Sequence, residues 1–437
     1  VTDIELAGQQ LEAVERVRSW LKADETQTFR LFGYAGTGKT TVAREIVSAL
    51  GLVGRTRYAA FTGKAAHVLA SKGCDGAQTI HSLIYQPVEK AREHLRELQL
   101  ARNAALDPVE QARLDAEIEA EQREIDSPGW IVNTGSELER AALLVLDEVS
   151  MVDDTMALDL LDFGVPTLVL GDPAQLPPID GTGYFIDAEP DMLLTDIHRS
   201  ALDSPVTRLA TAVRSADEHD TEIGVPGMDG NSGRWPYRLT PVEALRFDQV
   251  ICWRNATRWR VINAMRRAAG HAGSPQPGER IIGLVNDREA GILNGQQLTV
   301  RQTFGETGRD NTRILDIAAT TESGLDVELR AWSVGFTGTD GELSARRQSS
   351  GPFRRPGVVA ATYAHAVTVH KAQGSQWDKV LVVDETPGLR SITAKDHLSR
   401  GAGTDYARRE ANLMAKRWLY TAITRAAKQV ILTVDVR

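Results

Sequence analysis

The chain has 437 residues, 25% of them charged and 42% hydrophobic, with a formal net charge of −9. That length is more than one ordinary core requires, so two or more domains are expected. No apolar run nears the roughly 18 residues of a membrane span, no signal-peptide pattern appears, and Cys74 and Cys252 have neither disulfide-framework nor metal-ligand spacing; no membrane association is expected, and the setting is expected to be reducing and cytoplasmic.

In chain order, Thr28 to Phe32 predicts a short buried strand. It runs into Gly33-Tyr34-Ala35-Gly36-Thr37-Gly38-Lys39-Thr40, which satisfies G-x-x-x-x-G-K-[ST] at each fixed position. Thr41 to Leu50 predicts a helix stopped by Gly51. Strand, glycine turn and helix N-terminus aim backbone N–H groups and a positive dipole end at one point, which suits a polyphosphate. Lys39 is placed to reach β/γ-phosphates, and the Thr40 hydroxyl to ligate Mg²⁺. The bland alternative is a glycine-rich loop that binds nothing; strand, helix, Lys and Thr together speak against it.

Arg57 to Phe61, Leu143 to Leu146 and Thr167 to Leu170 are further β-rich runs. They end at Thr62-Gly63-Lys64, Asp147-Glu148 and Gly171-Asp172. Such βα alternation predicts a parallel sheet covered by helices, with ligands at the carboxyl ends of the strands. Val88 to Asp126 breaks the pattern. Val88, Ala91, Leu95 and Leu98 have helical spacing, and Asp107, Pro108 and Glu110 resemble the start of a second helix. A charged helical hairpin and a solvated spacer are the two readings. From Glu89 to Asp126 the charge is net −5, so a locally basic groove elsewhere stays open. A second α/β unit follows, with Val250 to Trp253, Val358 to Tyr363, Val380 to Val383 and Val430 to Val434 as strands and no second P-loop. Arg280 to about Gly357 reads as a small β-barrel-like insertion with a hairpin signal at Asn294-Gly295. Arg346-Arg347 and Arg354-Arg355 read as a loop.

An apolar strand ending in Asp147-Glu148, downstream of a P-loop, is a Walker B element. Asp147 is expected in the Mg²⁺ shell, and Glu148 to orient or deprotonate water. Alone, the pair would be an ordinary acid pair at a helix start. In Gly171-Asp172-Pro173-Ala174-Gln175-Leu176-Pro177-Pro178, the Gln175 amide can sense a γ-phosphate or position water; the bland counterpart is a proline-stiffened turn. Arg199 and Arg425 are candidate arginine fingers, since a guanidinium stabilises the charge that phosphoryl transfer spreads. A lone Arg is usually surface decoration, and only the surrounding pattern lifts these two.

That pattern resembles superfamily 1 helicases, and within them the RecD/Dda-like branch, 1B. Gln10 is similar to the Q motif that reads adenine. Gly33 to Thr40 matches motif I, and Ala60-Phe61-Thr62-Gly63-Lys64-Ala65-Ala66 resembles motif Ia. Thr79-Ile80-His81 resembles the next DNA-contacting segment. Asp147-Glu148-Val149-Ser150-Met151 matches motif II, Gly171 to Pro178 motif III, and Ile197-His198-Arg199 resembles motif IV. Thr368-Val369-His370-Lys371-Ala372-Gln373-Gly374-Ser375 matches motif V, and Tyr420-Thr421-Ala422-Ile423-Thr424-Arg425-Ala426 matches motif VI. Phe61 departs from the family's usual Pro, which leaves core packing or base stacking as its role. The family's insertion before motif II often carries a wedge; here it reads as helices, with Trp130 just after it as a candidate stacking platform.

The resemblance implies an α/β fold of two RecA-like parallel-sheet domains, with a helical insertion in the first and a small SH3-like β insertion in the second. The expected boundaries are 1–85 and 131–195 for the first domain, split by the 86–130 insertion. The second takes 196–282 and 358–437, split by 283–357. The implied activity is an ATP-dependent DNA helicase moving 5′→3′ on single-stranded DNA, with ATP and Mg²⁺ as cofactors. The implied partners are single-stranded and forked DNA and replication or repair proteins. Gln10, Gly33, Gly36, Thr37, Gly38, Lys39, Thr40, Thr41 and Gly374 are expected to hold the nucleotide. Lys39, Glu148, Gln175, Arg199 and Arg425 are expected to act on it. Phe61, Thr62, Lys64, His81, Asn255, Thr368 and His370 are expected to contact DNA. The rivals are a single-strand translocase or RNA helicase, a non-motor P-loop enzyme such as a small-molecule kinase, and a scaffold with a vestigial site.

Overall fold

The computed structural model describes residues 8–86, 131–177, 183–196, 203–217, 227–287, 290–308, 313–322, 324–350 and 355–437, and positions 98, 100–102, 111, 114 and 118, all helical. The cap at Asp107, most of the apolar stripe from Val88, Trp130, Arg199 and Arg354 lie outside the described residues.

The first lobe starts with helix α1 (Gln9–Ala23), strand β1 (Thr28–Gly33), α2 (Lys39–Ala49), β2 (Thr56–Ala60), α3 (Gly63–Ser71), β3 (Gln78–Thr79), α4 (Ile80–Ile84) and β4 (Tyr85–Gln86). After the 86–130 segment come β5 (Ile131–Val132), β6 (Leu143–Asp147), α5 (Asp154–Leu161), β7 (Thr167–Gly171) and β8 (Met192–Leu194). Six of these strands form a parallel sheet in the order β3-β2-β6-β7-β1-β8; β4 and β5 pair separately. Strand periodicity divides the core. Leu143 and Val145 face α1, α2 and α3, whereas Leu144 and Leu146 face α4 and α5. A strand buried on both faces must be apolar throughout, which is why β6 reads as an unbroken apolar run.

The second lobe holds α6 (Pro205–Ser215), β9 (Gly233–Arg234), β10 (Gln249–Cys252) and α7 (Asn255–Ala268). Then come β11 (Arg280–Gly283), β12 (Gln297–Thr307), β13 (Ile314–Thr321), β14 (Asp326–Trp332), α8 (Thr339–Ser350), β15 (Val358–Val359) and β16 (Ala361–Tyr363). The chain closes with β17 (Ala366–Thr368), α9 (Val369–Ala372), β18 (Trp377–Val383), α10 (Thr386–Ser399), α11 (Thr404–Ile423) and β19 (Ala426–Thr433). A second parallel sheet has the order β17-β10-β18-β19-β9.

Two expectations are corrected here. Val358 to Tyr363 does not join the parallel sheet. It breaks at Ala360 into β15 and β16, the opposite edges of a third sheet ordered β15-β14-β13-β12-β11-β16. Edges only one residue apart in sequence require that sheet to curl into a barrel. The apolar run is continuous because both pieces are buried, so periodicity did not reveal the break. The parallel sheet takes the three-residue β17 instead. Arg346 and Arg347 lie on α8, not in a loop. The barrel is no separate bead: Ile281, Leu298 and Leu329 share one core with Val250, Ile262 and Leu381.

Candidate functional site

The P-loop links β1 to α2. Gly38 sits at φ 78°, a left-handed turn that lets α2 begin at Lys39. Lys39 Nζ folds back and donates to the carbonyls of Gly33 at 2.7 Å and Tyr34 at 3.3 Å. Thr40 Oγ1 donates to Asp147 Oδ2 at 3.0 Å. Desolvation first, then the Glu148 charge, hold the Asp147 carboxyl above its usual range, with Lys39 opposing. Glu148 has φ 55°, left-handed for a residue with a side chain, and its amide donates to Asp147 Oδ1 at 2.8 Å. Such backbone strain costs about 1–3 kcal/mol and collects at working sites.

The second lobe closes on this edge. Tyr420 Oη accepts from the Ala35 amide at 2.9 Å and donates to Asp172 Oδ2 at 2.8 Å. Asp172 also accepts from the Ala174 amide at 3.0 Å, and burial pushes its carboxyl up. The Leu176 amide donates to Thr421 Oγ1 at 3.0 Å, and the Leu176 side chain enters the second lobe's core. Gly374 has φ 72°, and a Cβ there would come within 2.7 Å of Thr62 Oγ1. Only glycine allows motif V to approach α3 this closely.

Between the lobes lies a cavity of about 480 Å³. Gly36, Gly38, Lys39, Thr40, Thr41, Asp147, Glu148 and Gln175 line it from one side, and Gly374 and Arg425 from the other. Arg425 is buried. Its guanidinium donates to the carbonyls of Thr421 at 3.2 Å and Ser375 at 3.5 Å, and to Thr424 Oγ1 at 3.2 Å. It has no carboxylate partner among the described residues. Gln175 is also buried, and its Oε1 has no hydrogen-bond partner among the described residues. Gly33, Thr37 and Gln10 do not line the cavity. Thr37 is buried with its hydroxyl on the Tyr34 carbonyl, and Gln10 Nε2 reaches the Thr37 carbonyl from behind at 3.4 Å.

The expected nucleic-acid residues lie at carboxyl ends of strands in both lobes. Thr62 Oγ1 accepts from the Ala65 amide and caps α3. Lys64 Nζ lies 2.8 Å from Glu322 of the barrel and 4.9 Å from the Trp377 ring centroid. Phe61 packs on the core below the sheet and meets the His81 ring edge-on at 6.1 Å. Desolvation lowers the pKa of His81, with Asp153 opposing, and that of His370. Thr368 ends β17 beside Cys252, and Asn255 is exposed at the start of α7. Sequence reading passed over Tyr420, Asp172 and Arg214, whose guanidinium stacks 3.7 Å over the Tyr34 ring. It also passed over Lys371, 3.5 Å from Glu342 of α8. Asp172, Lys371 and Tyr420 stand inside the motif III, V and VI strings, but the contact that each makes is with a residue distant in sequence, which no local spacing gives.

The AAA domain family matches residues 5–225. The chain belongs to that family. Within it, the motif order and the relatives make this a RecD-like chain of superfamily 1B. It is 26% identical over 368 residues to the ATP-dependent RecD2 DNA helicase of Deinococcus radiodurans, covering 81% of this chain and 42% of that one. It is 24% identical over 421 residues to the RecBCD enzyme subunit RecD of Mycolicibacterium smegmatis, covering 92% and 67%. The RecD-like chain therefore spans less than half of the Deinococcus relative. A solved Pif1 helicase structure, described for DNA unwinding at forked dsDNA, shares the fold with a TM-score of 0.50 at 19% identity, covering 98% of this chain and 92% of that one. Nucleotide binding follows from the family. No described helix is long and apolar enough to cross a membrane.

Proposed function

We propose that this chain is an ATP-dependent DNA helicase that travels 5′→3′ on single-stranded DNA by closing and opening two lobes around one ATP. The supporting observation is that Lys39 and Arg425, from opposite lobes, line one cavity. The activity named for the Deinococcus relative agrees with this reading. The RecA-like domains are drawn as 1–85 with 131–195, and as the rest of the second lobe. The β insertion is drawn from Arg280 to Tyr363, where its sheet begins and ends. Forked DNA and replication or repair proteins are the proposed partners.

In this reading Lys39 leaves the Gly33 and Tyr34 carbonyls for the β/γ-phosphates, which the loop amides also hold. Thr40 and Asp147 present hard oxygen donors 3.0 Å apart, and that pair fits Mg²⁺. The ion, when bound, offsets charge on the phosphate oxygens. Glu148 orients or deprotonates the attacking water. The unpartnered Gln175 Oε1 accepts a hydrogen bond from that water. Arg425 faces the γ-phosphate, with Arg199 as the second cation, and Gln10 reads the adenine on leaving the Thr37 carbonyl that holds it outside the cavity lining. ATP favours the closed pair of lobes because both bind it; hydrolysis removes that differential affinity. Phe61, Thr62, Lys64 and His81 hold the strand on one lobe, and Asn255, Thr368 and His370 on the other.

The test is ATP turnover with and without single-stranded DNA, beside unwinding of forks tailed at 5′ or 3′. Strand-stimulated turnover and unwinding of the 5′-tailed fork alone are expected. Stimulation without unwinding would make the chain a single-strand translocase, and response to RNA alone an RNA helicase. Strand-independent turnover would overturn the motor reading.

A further inference from the structure

One row of paired residues crosses the second sheet: Val367, Ile251, Val382, Leu432 and Arg234. All five strands are parallel, so the next residue of each lies at a common carboxyl edge: Thr368, Cys252, Val383, Thr433 and Trp235. Strands are spaced about 4.8 Å apart, which sets Trp235 roughly 19 Å from Thr368 along this edge.

The far end of the edge carries an aromatic pair. Trp235 is 40% and Tyr237 69% exposed, with ring centroids 6.2 Å apart and planes at 73°. The backbone beneath is pinned. The Trp235 amide donates to the Leu432 carbonyl at 2.7 Å, and Thr433 Oγ1 donates to the Tyr237 carbonyl at 2.9 Å. Pro236 between the rings has no N–H to offer another strand, which argues against growth of the sheet here. The charge along the edge is arranged with one sign outward. Asp384, Glu385 and Asp435 follow the strand ends, each less than a tenth exposed. Arg234, Arg254 and Arg260 cover them at 2.7, 2.9 and 2.7 Å, each more than a third exposed. Solvent therefore meets guanidiniums and aromatic rings in a chain whose net charge is −9. Rings that stack on bases, set among cations that meet phosphates, are the chemistry of a single-strand surface.

We infer that single-stranded DNA gripped at Thr368 continues across this edge and stacks a base on the Trp235–Tyr237 pair. The inference rests on the DNA-binding reading above and adds a site to it.

The test is fluorescence anisotropy with oligothymidines of increasing length on the full chain. Trp235→Ala with Tyr237→Ala should weaken the long oligonucleotides about tenfold and leave the shortest one that binds unchanged. Trp235→Phe should retain most of the affinity, and ATP turnover without DNA should not change. Abasic sites at the far end of a long oligonucleotide should remove the wild-type advantage and leave the double variant unaffected. If the double variant matches wild type at each length, or loses affinity equally at each length, the site is overturned while wild-type binding keeps the broader reading. If the wild-type chain binds no DNA, the broader reading fails, and this site with it.

Discussion

The two parallel sheets share an architecture but turn opposite edges to the seam. The first offers the carboxyl ends of its strands: the P-loop follows β1, Asp147 ends β6 and Asp172 follows β7. The second offers amino ends. Ser375 and Gln376 precede β18, and Thr424 and Arg425 precede β19. Its own carboxyl ends point away, to Thr368, Asn255 and the Trp235 edge. One sheet can therefore hold a polyphosphate in loop amides, while the other delivers a cation to it and keeps its loops for something else. A ligand at the seam is felt by both lobes, which is the physical requirement for coupling nucleotide state to lobe position.

The largest test of this asymmetry is on the holding side. Lys39→Ala should lower strand-stimulated ATP turnover by a factor of about 10³ or more while the fold persists by circular dichroism. Residual activity near wild type would remove Lys39 from the reaction. On the delivering side, Arg425→Ala should lower kcat on the order of 10³-fold, with nucleotide affinity much less affected. A loss confined to binding would make Arg425 a holding residue and erase the difference between the edges.

Acid should act where the barrel meets the second sheet. His365 joins β16 to β17, where barrel and second sheet meet. Desolvation pushes its ring down to about 4, opposed by Glu279, with Arg280, Arg266 and His271 adding to the fall. Its folded pKa lies below the unfolded value, so its stabilising contribution is full above about pH 6.5 and is lost as pH falls through about 4. The loss should reach about 3 kcal/mol. His365→Gln should flatten the slope of melting temperature against pH between those limits; an unchanged slope would place the acid sensitivity elsewhere.

The smallest effect concerns Lys64, which Glu322 of the barrel holds at 2.8 Å. Exposed pairs contribute no more than about 1 kcal/mol. Glu322→Ala should therefore tighten single-strand affinity up to about fivefold by freeing Lys64, and Lys64→Ala should weaken it. Weaker binding by Glu322→Ala would show that the pair positions Lys64 instead of competing with the strand.

Much of the fold was legible because its signals are local. β1, β6 and β7 are apolar runs that stop at polar residues, and the P-loop is one contiguous string. What depended on long-range pairing was not legible. The break at Ala360 looks like continuous strand because both halves are buried, and Arg346 on α8 looks like loop because its neighbours are polar. At the site, the Gly33–Thr40 string was readable alone and gave Asp147–Glu148 its meaning, but bringing Arg425 to Lys39 needed the motif VI resemblance. Tyr420 was readable only as part of that motif. Its bonds to Ala35 and Asp172 span residues far apart in sequence, and no spacing rule anticipates them.

The most direct measurement is a crystal structure of the chain with a nucleotide transition-state analogue. The account predicts that the Arg425 guanidinium leaves the Thr421 and Ser375 carbonyls and lies within about 3 Å of the γ-phosphate mimic held by Lys39. Arg425 still bonded to those carbonyls, with the analogue bound by the first lobe alone, would contradict it.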